Sequence, residues 1–177
     1  GGYMPHCRFR GNLVGLSEVT LKVGKVLEGK YSMEDFTELN QCAHAGQGAC
    51  GSMTTGNSMC CIAEALGMTM PGNATMDATD KRLGGMAYEA GLQVMRLVRE
   101  GITARHFITE KSIENAIMVN IACAGSTNLL LHIPAIAHEA GIDRDWWSYF
   151  DQASHDIPLL VCIAPSDPRH YFVDFDA

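Results

Sequence analysis

The chain has 177 residues, 47% of them apolar and 19% charged, with 20 acidic against 13 basic side chains for a net charge of −7. That is long enough and apolar enough to bury one core, and too rich in hydrophobic residues to be disordered. No basic stripe speaks for nucleic acid, and no apolar run approaches the roughly 20 residues of a membrane span.

Residues 1–13 read as irregular, with no signal-peptide pattern. Ser17 is the expected cap of a helix running to about Leu27, carrying Val19, Leu21, Val23 and Val26 and closed by Gly29. Ser32, with Asp35 three residues on, predicts a helix over about 33–40. A glycine-rich stretch, Gly46-Gln47-Gly48-Ala49-Cys50-Gly51-Ser52, then sets one thiol in front of a further helix. That helix has small or apolar residues at Met53, Met59, Cys60, Ala63 and Leu66, and Gly67 and Pro71 end it. Asp77 or Thr79 opens a longer helix to about Arg99, with Leu83, Met86, Ala87, Ala90, Val94, Leu97 and Val98 on its buried face. Gly84-Gly85 inside it costs about 1 kcal/mol each relative to Ala, which implies another backbone packed closely there.

Thr109 caps the next helix, whose stripe is Ile113, Ala116, Ile117 and Ile121. Gly125-Ser126-Thr127-Asn128 breaks it, and Ser126 caps a helix reaching Gly141 that Pro134 should kink or limit. Asp145 caps a short helix with Trp146, Trp147 and Phe150. Leu159–Ile163 is the clearest strand in the pattern. The whole reads as a helix-rich α/β chain.

Two places suit chemistry. Cys50 stands where unpaired N–H groups at a helix start would favour a thiolate, whether as nucleophile, redox centre, metal ligand or simply a buried cysteine at a tight turn. Ser126, Thr127 and Asn128 could receive an anion such as a carboxylate at the second break, or merely cap a helix–helix turn. Seven cysteines without a secreted-framework spacing imply a reducing, cytoplasmic setting, with thiols free or metal-bound. Cys60 and Cys61 point to different helix faces and serve packing. Glu64 and Glu114 read as surface or capping carboxylates, and His44 is held back because it precedes Cys50 in the same loop.

The stretch 48–59, followed by Glu64-Ala65-Leu66-Gly67-Met68 and Pro71-Gly72, resembles the dihydroxy-acid and sugar-acid dehydratase family. The likeness continues in order through Glu114-Asn115-Ala116-Ile117, Gly125-Ser126-Thr127-Asn128, His132-Ile133-Pro134-Ala135-Ile136-Ala137 and Ile163-Ala164-Pro165-Ser166. The resemblance implies a layered α/β/α catalytic domain and an iron–sulfur hydro-lyase that turns 2,3-dihydroxy carboxylates into 2-oxo acids. Cys50 would be the third of three cysteines holding a [2Fe–2S] or [4Fe–4S] cluster, with Mg²⁺ on the substrate. It further implies that residues 1–177 are one partial domain, lacking the family's C-terminal β-barrel, its first two cluster cysteines and its serine base. Cys7 and Cys42 do not sit at the missing cysteine motifs. The isolated chain is therefore expected to be inactive, and the complete protein to be a homodimer or homotetramer. Ala137-His138-Glu139-Ala140-Gly141 favours a branched-chain dihydroxy acid, and His132-Ile133-Pro134 leans toward sugar acids. An iron–sulfur redox module, or a non-catalytic remnant, is the alternative from another class.

Overall fold

A computed structural model describes residues 2–175. Gly1, Asp176 and Ala177 lie outside the described residues, and with them the chain ends on which the partial-domain expectation rests. Residues 7–14, expected to be irregular, form an antiparallel hairpin of β1 (Cys7–Phe9) and β2 (Asn12–Val14). Arg10 and Gly11, at φ 50° and 88°, make its two-residue turn, so the turn geometry decides the register.

The helices follow: α1 (Leu16–Leu27), α2 (Met33–Ala43), α3 (Thr55–Ala65), α4 (Arg82–Glu100), α5 (Glu110–Ala122), α6 (Leu129–Glu139), α7 (Trp146–Asp156) and the single turn α8 (Phe172–Phe175). This helix-rich assembly with one small sheet fits an α/β domain. Most caps stand where expected. Ser32 Oγ accepts from Asp35 N–H at 3.0 Å, Thr109 Oγ1 from Ser112 N–H at 3.2 Å, and Asp145 Oδ1 from Ser148 N–H at 3.0 Å. α1 starts earlier than Ser17: Gly15 is its N-cap, and the Glu18 carboxylate accepts the Gly15 N–H at 2.8 Å. α6 runs through Pro134 without a break.

The main core is built by α3, α5, α6 and α7. Ile62, Ile113, Ile117, Leu129, Ile133, Trp146 and Phe150 meet there. A second cluster joins Tyr3, Met53, Cys61, Ile163 and Phe172, so both ends of the chain close on the start of α3.

Three expectations need correction. Leu159–Ile163 is extended but enters no sheet: the Leu160 and Val161 N–H groups both reach Ala122 O, at 2.8 and 3.0 Å, and no strand lies beside them among the described residues. α4 begins at Arg82 because Asp77 and Asp80 spend their carboxylates on turns at Thr79 and Arg82. It also buries no residue. Leu83, Met86, Ala90 and Leu97 are half-buried, whereas Ala87, Val94 and Val98 face outward. Lastly, Cys7 and Cys42 are joined in a disulfide, with Cα atoms 5.7 Å apart. The hairpin brings Cys7 to the end of α2, a proximity that spacing in the chain could not reveal. None of the described helices is long and apolar enough to cross a membrane.

Candidate functional site

The turn that carries Cys50 is stitched to both chain ends. Ala49 N–H donates to Gly2 O at 3.0 Å, Met4 N–H to Cys50 O at 2.9 Å, and Met53 N–H to Ala164 O at 2.8 Å. Gly48 is required here. Its φ is +135°, and an added Cβ would stand 2.6 Å from Met4 Cα. Cys50 is a free thiol only 8% exposed.

The thiol does not sit at the helix start. Thr54 N–H turns back to Ser52 O at 2.8 Å, and the α-helical path begins at Thr55, five residues beyond Cys50. What binds the turn to α3 is a side chain. Asn57, fully buried, donates through Nδ2 to Cys50 O at 2.6 Å and to Ser52 O at 2.9 Å.

The next residue holds the other break. Ser58, 2% exposed, accepts the Ser126 N–H at 2.9 Å. Thr55 Oγ1 lies 3.3 Å from Ser126 Oγ and accepts from Asn128 Nδ2 at 2.6 Å. The Asn128 N–H is spent on Ser126 Oγ at 3.2 Å. Thr127 and Asn128 are both exposed at this break. Gly125 packs so tightly on Asn120 that no Cβ fits, and Ala124 takes a left-handed φ of 48° to enter the turn. The structure thus joins the two stretches singled out in the sequence through consecutive residues of α3. Sequence reading marks Asn57 as a neighbour of Cys50 without a role and passes over Ser58, although two polar side chains at the start of an apolar helix are a usable signal.

Buried polar atoms without a hydrogen bond gather here. Of six such atoms among the described residues, four belong to His6, Ser52 and Asn57. The His6 ring lies against Gly51, 2.9 Å from the position of an added Cβ, and meets the Tyr171 ring edge-on with centroids 4.5 Å apart. Burial lowers the His6 pKa, although the nearby Gly51 carbonyl partly offsets this. Tyr171 donates to Glu18 at 2.6 Å, and burial together with that bond keeps its phenol protonated well above the usual range. Such a concentration of unsatisfied groups is what a site completed by a further polar or inorganic group leaves in the protein alone.

The other candidates have structural duties. His44 caps α2 and bonds Asn40 O through Nδ1 at 2.8 Å. Glu64 receives the Gly72 and Ala74 N–H groups at 2.7 and 2.9 Å, and Glu114 pairs with Lys111 and Arg144. Burial pushes the Cys61 thiol up to about 12 and also raises Cys123. No three His, Cys, Asp or Glu residues among those described stand together as a metal site.

A family model described as dihydroxy-acid/6-phosphogluconate dehydratase, N-terminal, matches residues 1–177. Dihydroxy-acid dehydratase of Moorella thermoacetica is 40% identical over 170 residues, covering 96% of this chain and 31% of that protein. The enzyme of the same name from Methanosarcina barkeri is 41% identical over 154 residues, 87% of this chain and 28% of its own length. That of Dehalococcoides mccartyi strain CBDB1 is 40% identical over 174 residues, covering 96% and 31% respectively. The chain therefore spans under a third of the length of these curated relatives.

Proposed function

The chain belongs to the dihydroxy-acid/6-phosphogluconate dehydratase family, and from that premise we propose that it supplies one wall of a hydro-lyase site acting on a 2,3-dihydroxy carboxylate. The observation that carries this reading is the Asn57–Ser58 pair, which fastens the Cys50 turn and the Ser126 turn to the same turn of one helix. A dehydration needs one group near the departing hydroxyl and another holding the carboxylate, at a fixed separation.

Cys50 suits the first position. It is a free thiol in a turn tied to Gly2, Met4, Asn57 and Ala164, bordered by the unsatisfied atoms of His6, Ser52 and Asn57. In this reading Cys50 is one ligand of an iron–sulfur cluster, its partner ligands being outside the residues described. When bound, that cluster supplies a Lewis-acidic iron for the departing hydroxyl. Asn57 keeps the Cys50 and Ser52 carbonyls turned inward, and His6 shields the Gly51 side from solvent. Thr127 is the residue we set against the substrate carboxylate, with Ser126 and Asn128 holding its backbone in place through Thr55 and Ser58. No residue of this chain is assigned as the base or as a ligand of the Mg²⁺ ion.

The names of the relatives support a branched-chain dihydroxy acid as substrate, and a sugar acid is the alternative. A cytoplasmic location belongs to the same proposal; in that compartment the Cys7–Cys42 pair would stand reduced. The test is 2-oxo acid formation by the protein made from its complete coding sequence, given 2,3-dihydroxyisovalerate and a panel of aldonates. Turnover of the first above the aldonates is expected, with loss of the cluster's visible absorbance in Cys50→Ser. Turnover of neither class, or an unchanged spectrum in Cys50→Ser, refutes the reading, and preference for aldonates selects the alternative.

A further inference from the structure

The loop between α2 and Cys50 is pinned at both of its ends to one short segment, residues 4–7. At its exit Cys50 O accepts the Met4 N–H at 2.9 Å, and at its entry Cys42 is bonded to Cys7. Between these points the loop lies along residues 2–6. Ala49 N–H reaches Gly2 O at 3.0 Å, Gly48 is backed against the Met4 backbone, and Gly51 against the His6 ring. Gln47 Nε2 adds a bond to Ala78 O at 2.8 Å. Residues 44–49 are otherwise exposed, and a glycine-rich loop carries a high entropic cost of being held in one path.

The segment that does the pinning is itself fixed. Tyr3 N–H donates to Met76 O at 3.0 Å and Ala78 N–H to Tyr3 O at 2.9 Å. Met4 stands three residues from Cys7, a reach of at most about 11 Å. The disulfide therefore holds the entry of the loop close to its exit. Without it the entry rests on the packing of α2, which buries Leu39 and Ala43. Cys7 and Cys42 are both half-exposed, within reach of a small reagent, while Cys50 at the end of the loop is buried.

We propose that Cys7 and Cys42 form a thiol–disulfide latch on the Cys50 loop: the bonded pair holds the loop down on residues 2–6, and the reduced pair frees its entry. The oxidant is a small-molecule disulfide. One cysteine thiolate attacks it and releases the first small thiol, leaving a mixed disulfide. The second cysteine attacks that sulfur and releases the other. Two electrons pass from the pair to the reagent, and the two protons of the cysteines end on the two small thiols. In a reducing compartment the latch rests open, and an oxidising shift closes it over the Cys50 turn.

The latch does not depend on the dehydratase reading. It is tested by hydrogen–deuterium exchange, read by mass spectrometry, in the protein made from its complete coding sequence. Peptides covering residues 44–50 should exchange about tenfold more slowly after oxidised glutathione has closed the pair than after dithiothreitol has opened it. Cys42→Ser should match the opened protein under both treatments, and α5 should exchange alike in every sample. Equal exchange of residues 44–50 in the two states of the parent protein would overturn the inference. So would an equal change across α5, which marks general loosening, or recovery of Cys7 and Cys42 on separate peptides after oxidised glutathione. A Cys42→Ser variant that fails to fold leaves the two states of the parent protein to decide. Neither turnover nor cluster absorbance enters the measurement.

Discussion

Asn57 does more for the Cys50 turn than Cys50 itself, because one buried amide donates to two carbonyls of that turn and ties it to α3. Asn57→Ala should cost about 1–3 kcal/mol in urea denaturation, the sum expected for two buried hydrogen bonds. Both carbonyls keep one backbone donor, Cys50 O the Met4 N–H and Ser52 O the Thr54 N–H, so the loss is that of the two amide bonds and of the packing around them. Cys61 makes a second prediction. Its folded pKa lies near 12, above the ordinary 9.0, so the fold favours the neutral thiol. The stability it contributes is whole below pH 9 and falls as pH rises toward 12. At pH 8, iodoacetamide should leave Cys61 unlabelled in the native protein and label it after unfolding, as read by peptide mass spectrometry. Cys50 itself was legible in the sequence as a residue to watch. Its setting was not, because the bonds that hold it come from Gly2, Met4, Asn57 and Ala164, and no local pattern announces a contact made across the fold.

The helices were the readable part, and the reason lies in their ends. Ser32, Thr109 and Asp145 each satisfy an N–H three residues on, a short-range bond that sequence order alone prescribes. Thr109→Ala should therefore destabilise the chain by about 1 kcal/mol, seen as a lower urea midpoint. At Asp145, bonds from Ser148 hold the carboxyl below its ordinary value. That contribution is present at neutral pH and fades as acid protonates the group, so Asp145→Ala should lose its effect on stability in acid. Leu159–Ile163 was misread for the complementary reason. A strand exists only through its neighbour, and a short run of apolar residues cannot supply one. α4 was misread in a more informative way: its period was right, but the apolar side extends past the half-buried face into the exposed one.

At the scale of the molecule, the hairpin and α2 are tied by one covalent link that closes a loop over 35 positions. In its oxidised form, denatured without reductant, the protein should titrate five thiols, and seven after reduction. By loop-closure entropy the bond should add about 3–4 kcal/mol, measurable as the difference between oxidised and reduced midpoints.

The neighbouring positions of Asn57 and Ser58 have a consequence for tolerance. Successive residues of an α-helix differ by 1.5 Å of rise and about 100° of rotation, values that thermal motion scarcely alters. The gap between the two turns is thus gauged by helical pitch, the stiffest ruler a polypeptide owns. Sequence drift elsewhere in the chain can move both turns together without changing the distance from one to the other.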